Sequence, residues 1–271
     1  MTALLHALVL LLYAVAAALL GVSLARTHPR LPRVAAWVLA AAVLAHVGVL
    51  ALFAAEYGQP PLVGLGPSLS VLALLIAAGS LGLAVLGGTG PLGLILVPVA
   101  AALAAIAEIA GVRPTGEVLQ FRGPWFVLHV VLAMLGYAGL TVAFAAGLMY
   151  LLQFRQLKAK RFGAVFRFFP PLDTLDRIVR GALVAGMCFL TVALLLGWAW
   201  AESFGRPMSP GNPKVVWGVV TWLVFAAALA ARLGNGGRAR RAALVSVMGF
   251  AVVWVWYLFL RVGEGPGRGF L

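Results

Sequence analysis

Runs of about 20 apolar residues, broken only by short turns rich in Gly and Pro, constrain this chain more than any other feature. At about 1.5 Å of rise per residue, one such run can cross the ~30 Å hydrocarbon core of a bilayer as a helix. Of the 271 residues, 63% are hydrophobic and only 10% are charged, with a mean hydropathy of +1.07. A water-soluble domain of this length carries far more charge. The expected fold class is therefore all-α: a polytopic transmembrane helical bundle of about eight spans. The runs follow one another without a long polar segment, so residues 1–271 are expected to form a single integral membrane domain.

The spans are expected at about 3–24, 34–55, 68–87, 91–110, 125–152, 176–199, 214–232 and 241–261. The breaks are Thr27-His28-Pro29, Gln59-Pro60-Pro61, Gly87-Gly88-Thr89-Gly90-Pro91 and Asn235-Gly236-Gly237. Glycine supplies conformational freedom there, and proline removes an N–H donor. The Gly87–Gly90 cluster is read as a hairpin turn and not as a nucleotide cradle. The first run lacks a basic leading segment and is long for a signal-peptide core, so it is expected to be retained.

Basic residues orient the spans. The first loop carries Arg26, Arg30 and Arg33. The loop after span five and the start of span six carry Arg155, Lys158, Lys160, Arg161, Arg167, Arg177 and Arg180, and the loop after span seven Arg232, Arg238, Arg240 and Arg241. The opposite side holds only Arg113, Arg122, Arg206, Lys214, Arg261 and Arg268. The bias alternates loop by loop and predicts a multi-pass protein of the cell (inner) membrane with both termini extracytoplasmic. The formal net charge of +13 is then largely cytoplasmic-loop Lys and Arg facing anionic headgroups of the lipid bilayer, and needs no nucleic acid to explain it. Phe162, Phe166, Phe168 and Phe169 alternate with basic residues in 155–171, as in a segment lying along the inner interface. The one cysteine, Cys188, is expected to be buried in span six, and it excludes an intrachain disulfide and thiol–disulfide exchange between paired cysteines.

Few groups could carry chemistry. His6 and Glu108 fall near the outer ends of spans one and four, and His129 about one turn below the outer end of span five. His46 lies about 18 Å from the cytoplasmic side of the ~30 Å core. Ionisable groups at such depths face the bundle interior. They serve either as ligands, since imidazole suits iron and zinc, or as hydrogen-bond partners of a neighbouring helix. A loop joining spans six and seven, WAWAESFGRPMSPGNPKVVWGVVTW at 198–222, lies on the same outer side. Trp198, Trp200, Trp217 and Trp222 in it are either an apolar ligand platform or an interfacial belt. Trp254, Trp256 and Tyr257 read as belt.

Three blocks carry a family resemblance, over roughly residues 120–260. The first runs WFVLHV at 125–130, LGYA at 135–138, LMYLLQ at 148–153 and QLK at 156–158. The second is PLDTLDR at 171–177, and the third is the Trp loop, with Trp200-Ala201, Pro213-Lys214, Trp217 and Thr221-Trp222-Leu223 in frame. The chain resembles the cytochrome c assembly family, the haem-handling membrane proteins of the CcsA and HemX type. Within the loop it departs from the family pattern. Tryptophans of that pattern fall on Gly205, Ser209 and Gly211, its Asp on Asn212 and its Glu on Val215. Ala230 stands where the haem-binding branch has a histidine after the seventh span, and the tail 263–271 has none.

The resemblance implies haem bound near the outer face and presented for cytochrome c biogenesis. His129 matches a haem-associated histidine of the family and is the expected axial ligand, with His46 proposed opposite it on depth alone. Trp200, Trp217 and Trp222 would flank the cofactor, and Arg206 and Lys214 would pair with its propionates. The expected partners are haem, a second membrane assembly protein with an extracytoplasmic domain, and apocytochrome c. A non-haem-binding assembly or regulatory subunit that keeps the fold is the alternative. A small-molecule transporter is a third reading, with Pro98 as its only helix-breaking feature. No residue stands out as acid, base or nucleophile, so the chain is not expected to be an enzyme by itself.

Overall fold

The apolar runs are helical. A computed structural model describes residues 2–25, 30–113, 123–160, 163–203, 213–232 and 237–263. Its helices are α1 (Thr2–Ala25), α2 (Leu31–Tyr57), α3 (Leu65–Gly87), α4 (Gly93–Ala110, entered through a 3-10 turn at Gly90–Leu92) and α5 (Pro124–Lys158). They continue as α6 (Ala164–Phe168), α7 (Leu172–Ser203), α8 (Pro213–Ala230) and α9 (Arg238–Gly263). Each expected run coincides with one long helix. Six of these are long and apolar enough to cross a membrane: α1, α2, α3, α4 with its 3-10 turn, α5 and α7. The apolar stretch of α8, Val215–Ala230, is shorter.

Two helices overrun their expected ends. α5 has 35 residues, about 52 Å of helix against a ~30 Å core, and carries Arg155 and Lys158 in its last turn. The stretch QFRQLK is polar but made of good helix formers, so polarity does not end the helix. α7 begins directly after Pro170-Pro171 and places Asp173 in its first turn, where a carboxylate suits the helix dipole. The expected inner loop is thus short, with α6 inside it. The turn expected at Gly87–Gly90 is present: Gly88 caps α3 with φ 60°, a left-handed conformation open to glycine, and its N–H bonds the Leu83 carbonyl.

Backbone packing groups the chain into two compact units. The first holds Met1–Thr115 and Leu152–Thr174. In it α1 packs on α2 and α4, and α3 packs on α2 and α4, so the four helices close a ring of neighbours. Val9, Ala16, Phe53, Ile76, Leu96 and Ala104 fill the interior. Small side chains at Ala42, Ala73, Ala77, Ala100 and Ala107 let the backbones approach. His6, His46, Ser68, Ser70 and Ser80 are also buried, while Leu4, Leu44, Leu86 and Ile109 are exposed. Polar groups inside and large apolar groups outside suit a lipid surround.

The second unit holds Gly116–Leu151 and Leu175–Phe270. Gly136 and Gly139 of α5 lie close against Gly186 of α7, and the fully buried Phe225 of α8 packs on the same glycine. Phe144 of α5 stacks on Phe250 of α9 with centroids 4.2 Å apart. Cys188 of α7, expected to be buried, is exposed instead. It lies two residues beyond the contact face at Gly186, and side chains two apart on a helix do not share a face.

An ion pair joins two helices of this unit: Arg232 Nη2, just past the end of α8, donates to Asp176 Oδ2 at 2.8 Å in the first turns of α7. Both side chains are largely covered, so losing one partner strands the other. Asp176→Ala should lower unfolding stability in detergent by about 2 kcal/mol, the value of a charged hydrogen bond. Asp176→Ala combined with Arg232→Ala should cost less than the two single changes added together, read by thermal unfolding.

Candidate functional site

His129 stands in the second turn of α5, and its ring lies on α7. Its Nδ1 is 2.6 Å from the carbonyl oxygen of Ala193. A carbonyl only accepts, so the proton sits on Nδ1 and the lone pair of the neutral ring is on Nε2. Among the described residues Nε2 has no hydrogen-bond partner. This is the tautomer and the orienting contact that metal-binding histidines use. Gly197, one turn beyond Ala193, makes the seat possible. A Cβ there would lie 2.7 Å from Cε1 and 2.9 Å from Nδ1 of His129.

The aromatic residues lie in separate layers. Trp200 of α7 meets Phe126 of α5 at 5.6 Å between centroids, one turn from the His129 seat on each helix. Trp217 stacks on Tyr137 at 4.5 Å, and its Nε1 is 3.4 Å from the Val253 carbonyl. Trp222 Nε1 donates to Thr191 Oγ1 at 3.0 Å. Trp217 and Trp222 therefore fasten α8 to its neighbours rather than forming one face with Trp200. Arg206 lies outside the described residues, and so does the side chain of Lys214.

In the first unit His46 is fully buried and engaged at both ring nitrogens. Tyr13 Oη is 2.9 Å from Nδ1, and Ser70 Oγ is 2.8 Å from Nε2. An axial bond to His46 would have to displace one of these partners. The same Ser70 Oγ lies 3.0 Å from His6 Nε2, and His6 Nδ1 lies 2.7 Å from Glu108 Oε2. The sequence placed His6, His46 and Glu108 in the outer half of the membrane; the helix packing joins them through Ser70, with Tyr13 beyond His46. Among the described residues no group of three His, Cys, Asp or Glu side chains could hold a metal ion.

Sequence reasoning missed Ala193, Gly197, Ser70 and Tyr13. Two of these act through a backbone carbonyl and a missing side chain, which carry no motif. Gly197→Ala should unseat the His129 ring and cost about 1–3 kcal/mol, as overpacking does. In a protein labelled with 15N-histidine, the His129 resonances should leave the Nδ1–H tautomer pattern, whereas Gly181→Ala, with open space around it, should leave them in place.

The chain matches the family described as Cytochrome C assembly protein over residues 3–266. It is 32% identical over 160 residues to the "Cytochrome c biogenesis protein CcsA" of Chlamydomonas reinhardtii, covering 58% of this chain and 43% of that protein. A protein of the same description from Guillardia theta is 32% identical over 161 residues, 53% of each. One from Synechococcus elongatus is 29% identical over 259 residues, 78% of this chain and 79% of that protein. The chain thus spans about half the length of the first two relatives and about four fifths of the third. The match takes in the first four helices as well as the segment 120–260. With six membrane-length apolar helices among the described residues and a family match over nearly its whole length, this multi-pass membrane protein belongs to the cytochrome c assembly protein family.

Proposed function

We propose that the protein binds haem on the extracytoplasmic side of the cell membrane and presents it for cytochrome c biogenesis. His129 is the axial ligand. The observation that carries this reading is the His129 seat: Nδ1 held by the Ala193 carbonyl, Nε2 left with a lone pair, and a glycine making room for the ring. Iron needs such a donor, and an apolar, water-poor surround around it. Bound haem would supply the iron and the porphyrin that a cytochrome must receive. The chain's own residues hold and orient it: His129 by coordination, Phe126 and Trp200 by apolar contact one turn away. Arg206 and Lys214 are retained as partners for the propionates, on charge alone.

The opposite ligand is not assigned to His46, because both of its nitrogens hold hydrogen bonds. The alternating basic loops support eight spans with both termini and the Trp loop outside. The partners that fit are a second membrane assembly protein and apocytochrome c, in keeping with the relatives' description as cytochrome c biogenesis proteins. The chain itself is read as a carrier and not as an enzyme.

The second reading is an assembly or regulatory subunit without haem. It is favoured by the inward engagement of Trp217 and Trp222 and by the loss of loop tryptophans at Gly205, Ser209 and Gly211.

An absorption spectrum with a pyridine haemochrome assay on protein in mild detergent decides between them. The haem-carrier reading expects a Soret band at about one haem per chain. It should be lost in His129→Ala at unchanged helix content and recovered when free imidazole is added. A folded wild-type protein that stays colourless with added haem overturns it and leaves the second reading.

A further inference from the structure

The three hydrogen bonds of the first unit, with the close His6–Glu108 ion contact that ends them, can be ordered. Glu108 as a carboxylate brings no proton. His6, Ser70, His46 and Tyr13, each neutral, bring one apiece. Four protons must serve four contacts, and one assignment places a proton in each. His6 Nδ1–H faces Glu108 Oε2, which forces Ser70 Oγ–H to donate to His6 Nε2. His46 Nε2–H then donates to Ser70, and Tyr13 Oη–H to His46 Nδ1. Every donor points toward Glu108. Any other assignment leaves one contact without a proton and another with two, which is unfavourable in a buried site.

We propose that Glu108, His6, Ser70, His46 and Tyr13 form a proton relay with its open, proton-accepting end at Glu108 and its buried, proton-donating end at Tyr13. The bound species is the proton. Glu108 is 35% exposed, whereas His6 is 1% exposed and Tyr13, His46 and Ser70 are fully buried. His6 and Tyr13 are seven residues apart on α1, so the chain descends about 10 Å along one helix face.

In one passage each proton moves across its own contact, the last one once the Glu108 carboxylate has turned into line with His6 Nδ1. The Tyr13 proton goes to His46 Nδ1, the His46 Nε2 proton to Ser70, the Ser70 proton to His6 Nε2, and the His6 Nδ1 proton to Glu108. Carboxylate and phenol become carboxylic acid and phenolate, with charge conserved and no other reactant. A phenolate in an apolar interior is costly, so the chain rests with its charge at Glu108. The His6 N–H does not yet aim along the line to Oε2, and the broad terminal torsion of a Glu side chain lets the carboxylate turn into line. Proton relays built from carboxylates and histidines are a recurring use of ionisable groups inside membranes.

The test uses the full-length protein labelled with 15N-histidine, in which only four histidines report. The wild type should show His6 protonated at Nδ1 and His46 at Nε2. Glu108→Leu, which removes the acceptor from His6, should also displace the His46 resonances toward the other tautomer, although Glu108 pairs with His6 and not with His46. In a Ser70→Ala background that response should vanish, and Ser70→Thr should restore it. Ser70→Ala only removes a hydroxyl, so the fold is expected to survive, and Glu108→Ala offers a second acceptor-free change should Glu108→Leu fail to fold. A His46 response that persists in Ser70→Ala, or a His46 that ignores Glu108 while His6 responds, overturns the relay. So does His46 protonated at Nδ1 in the wild type.

Discussion

Hydrocarbon offers no hydrogen bonds, so each polar group carried into the membrane interior must find its partner within the protein. Several hydroxyls meet this requirement locally. Thr141, Thr191, Thr221 and Ser246 each donate to the carbonyl four residues back on their own helix, and Ser23 to the one three back. An imidazole cannot do so, because its two nitrogens point in opposite directions and one of them leaves the helix. Each membrane-embedded histidine therefore has to be answered by another helix. In the first unit this couples the packing of α1, α2, α3 and α4 to the chain running from Tyr13 to Glu108.

The two units meet this requirement in opposite ways. His46 is closed: both nitrogens are used and the ring is fully buried. His129 is half open, with one nitrogen fixed by a carbonyl and the other holding its lone pair. A closed imidazole specifies packing and can pass a proton along hydrogen bonds already made. A half-open one is prepared for a ligand, because nothing has to be broken before a new bond forms. Depth in the membrane, which suggested pairing these two residues, does not distinguish the states.

The helices were legible because a bilayer-length apolar run has few other folds, and the Gly- and Pro-rich breaks at 87–91 and 235–237 lie where runs end. The ends of α5 and α7 were not. Hydropathy marks where the membrane stops, whereas a helix continues as long as its residues favour it, as QFRQLK does. The site was half legible. A histidine in the LHV block pointed to His129, while the atoms that hold it belong to a backbone carbonyl and a glycine. The Asp176–Arg232 pair was hidden for another reason. Both residues had a sufficient explanation, one in a family block and one as a cytoplasmic charge, and only folding shows that they meet.

Gly197 carries the argument furthest. Glycine within a helix costs about 1 kcal/mol relative to alanine, so its place inside a long apolar helix needs a return. The return is the ring of His129, which could not reach the Ala193 carbonyl over a side chain. With glycine and serine standing at three tryptophan positions of the family's loop pattern, a bound haem would depend more on contacts from the helices. What α5 and α7 offer there is Phe126 and His129 on one and Trp200 on the other, spaced by single turns. A carrier built this way would hold its cargo mainly by one coordinate bond and a small apolar contact, an arrangement that suits release to a partner better than permanent storage.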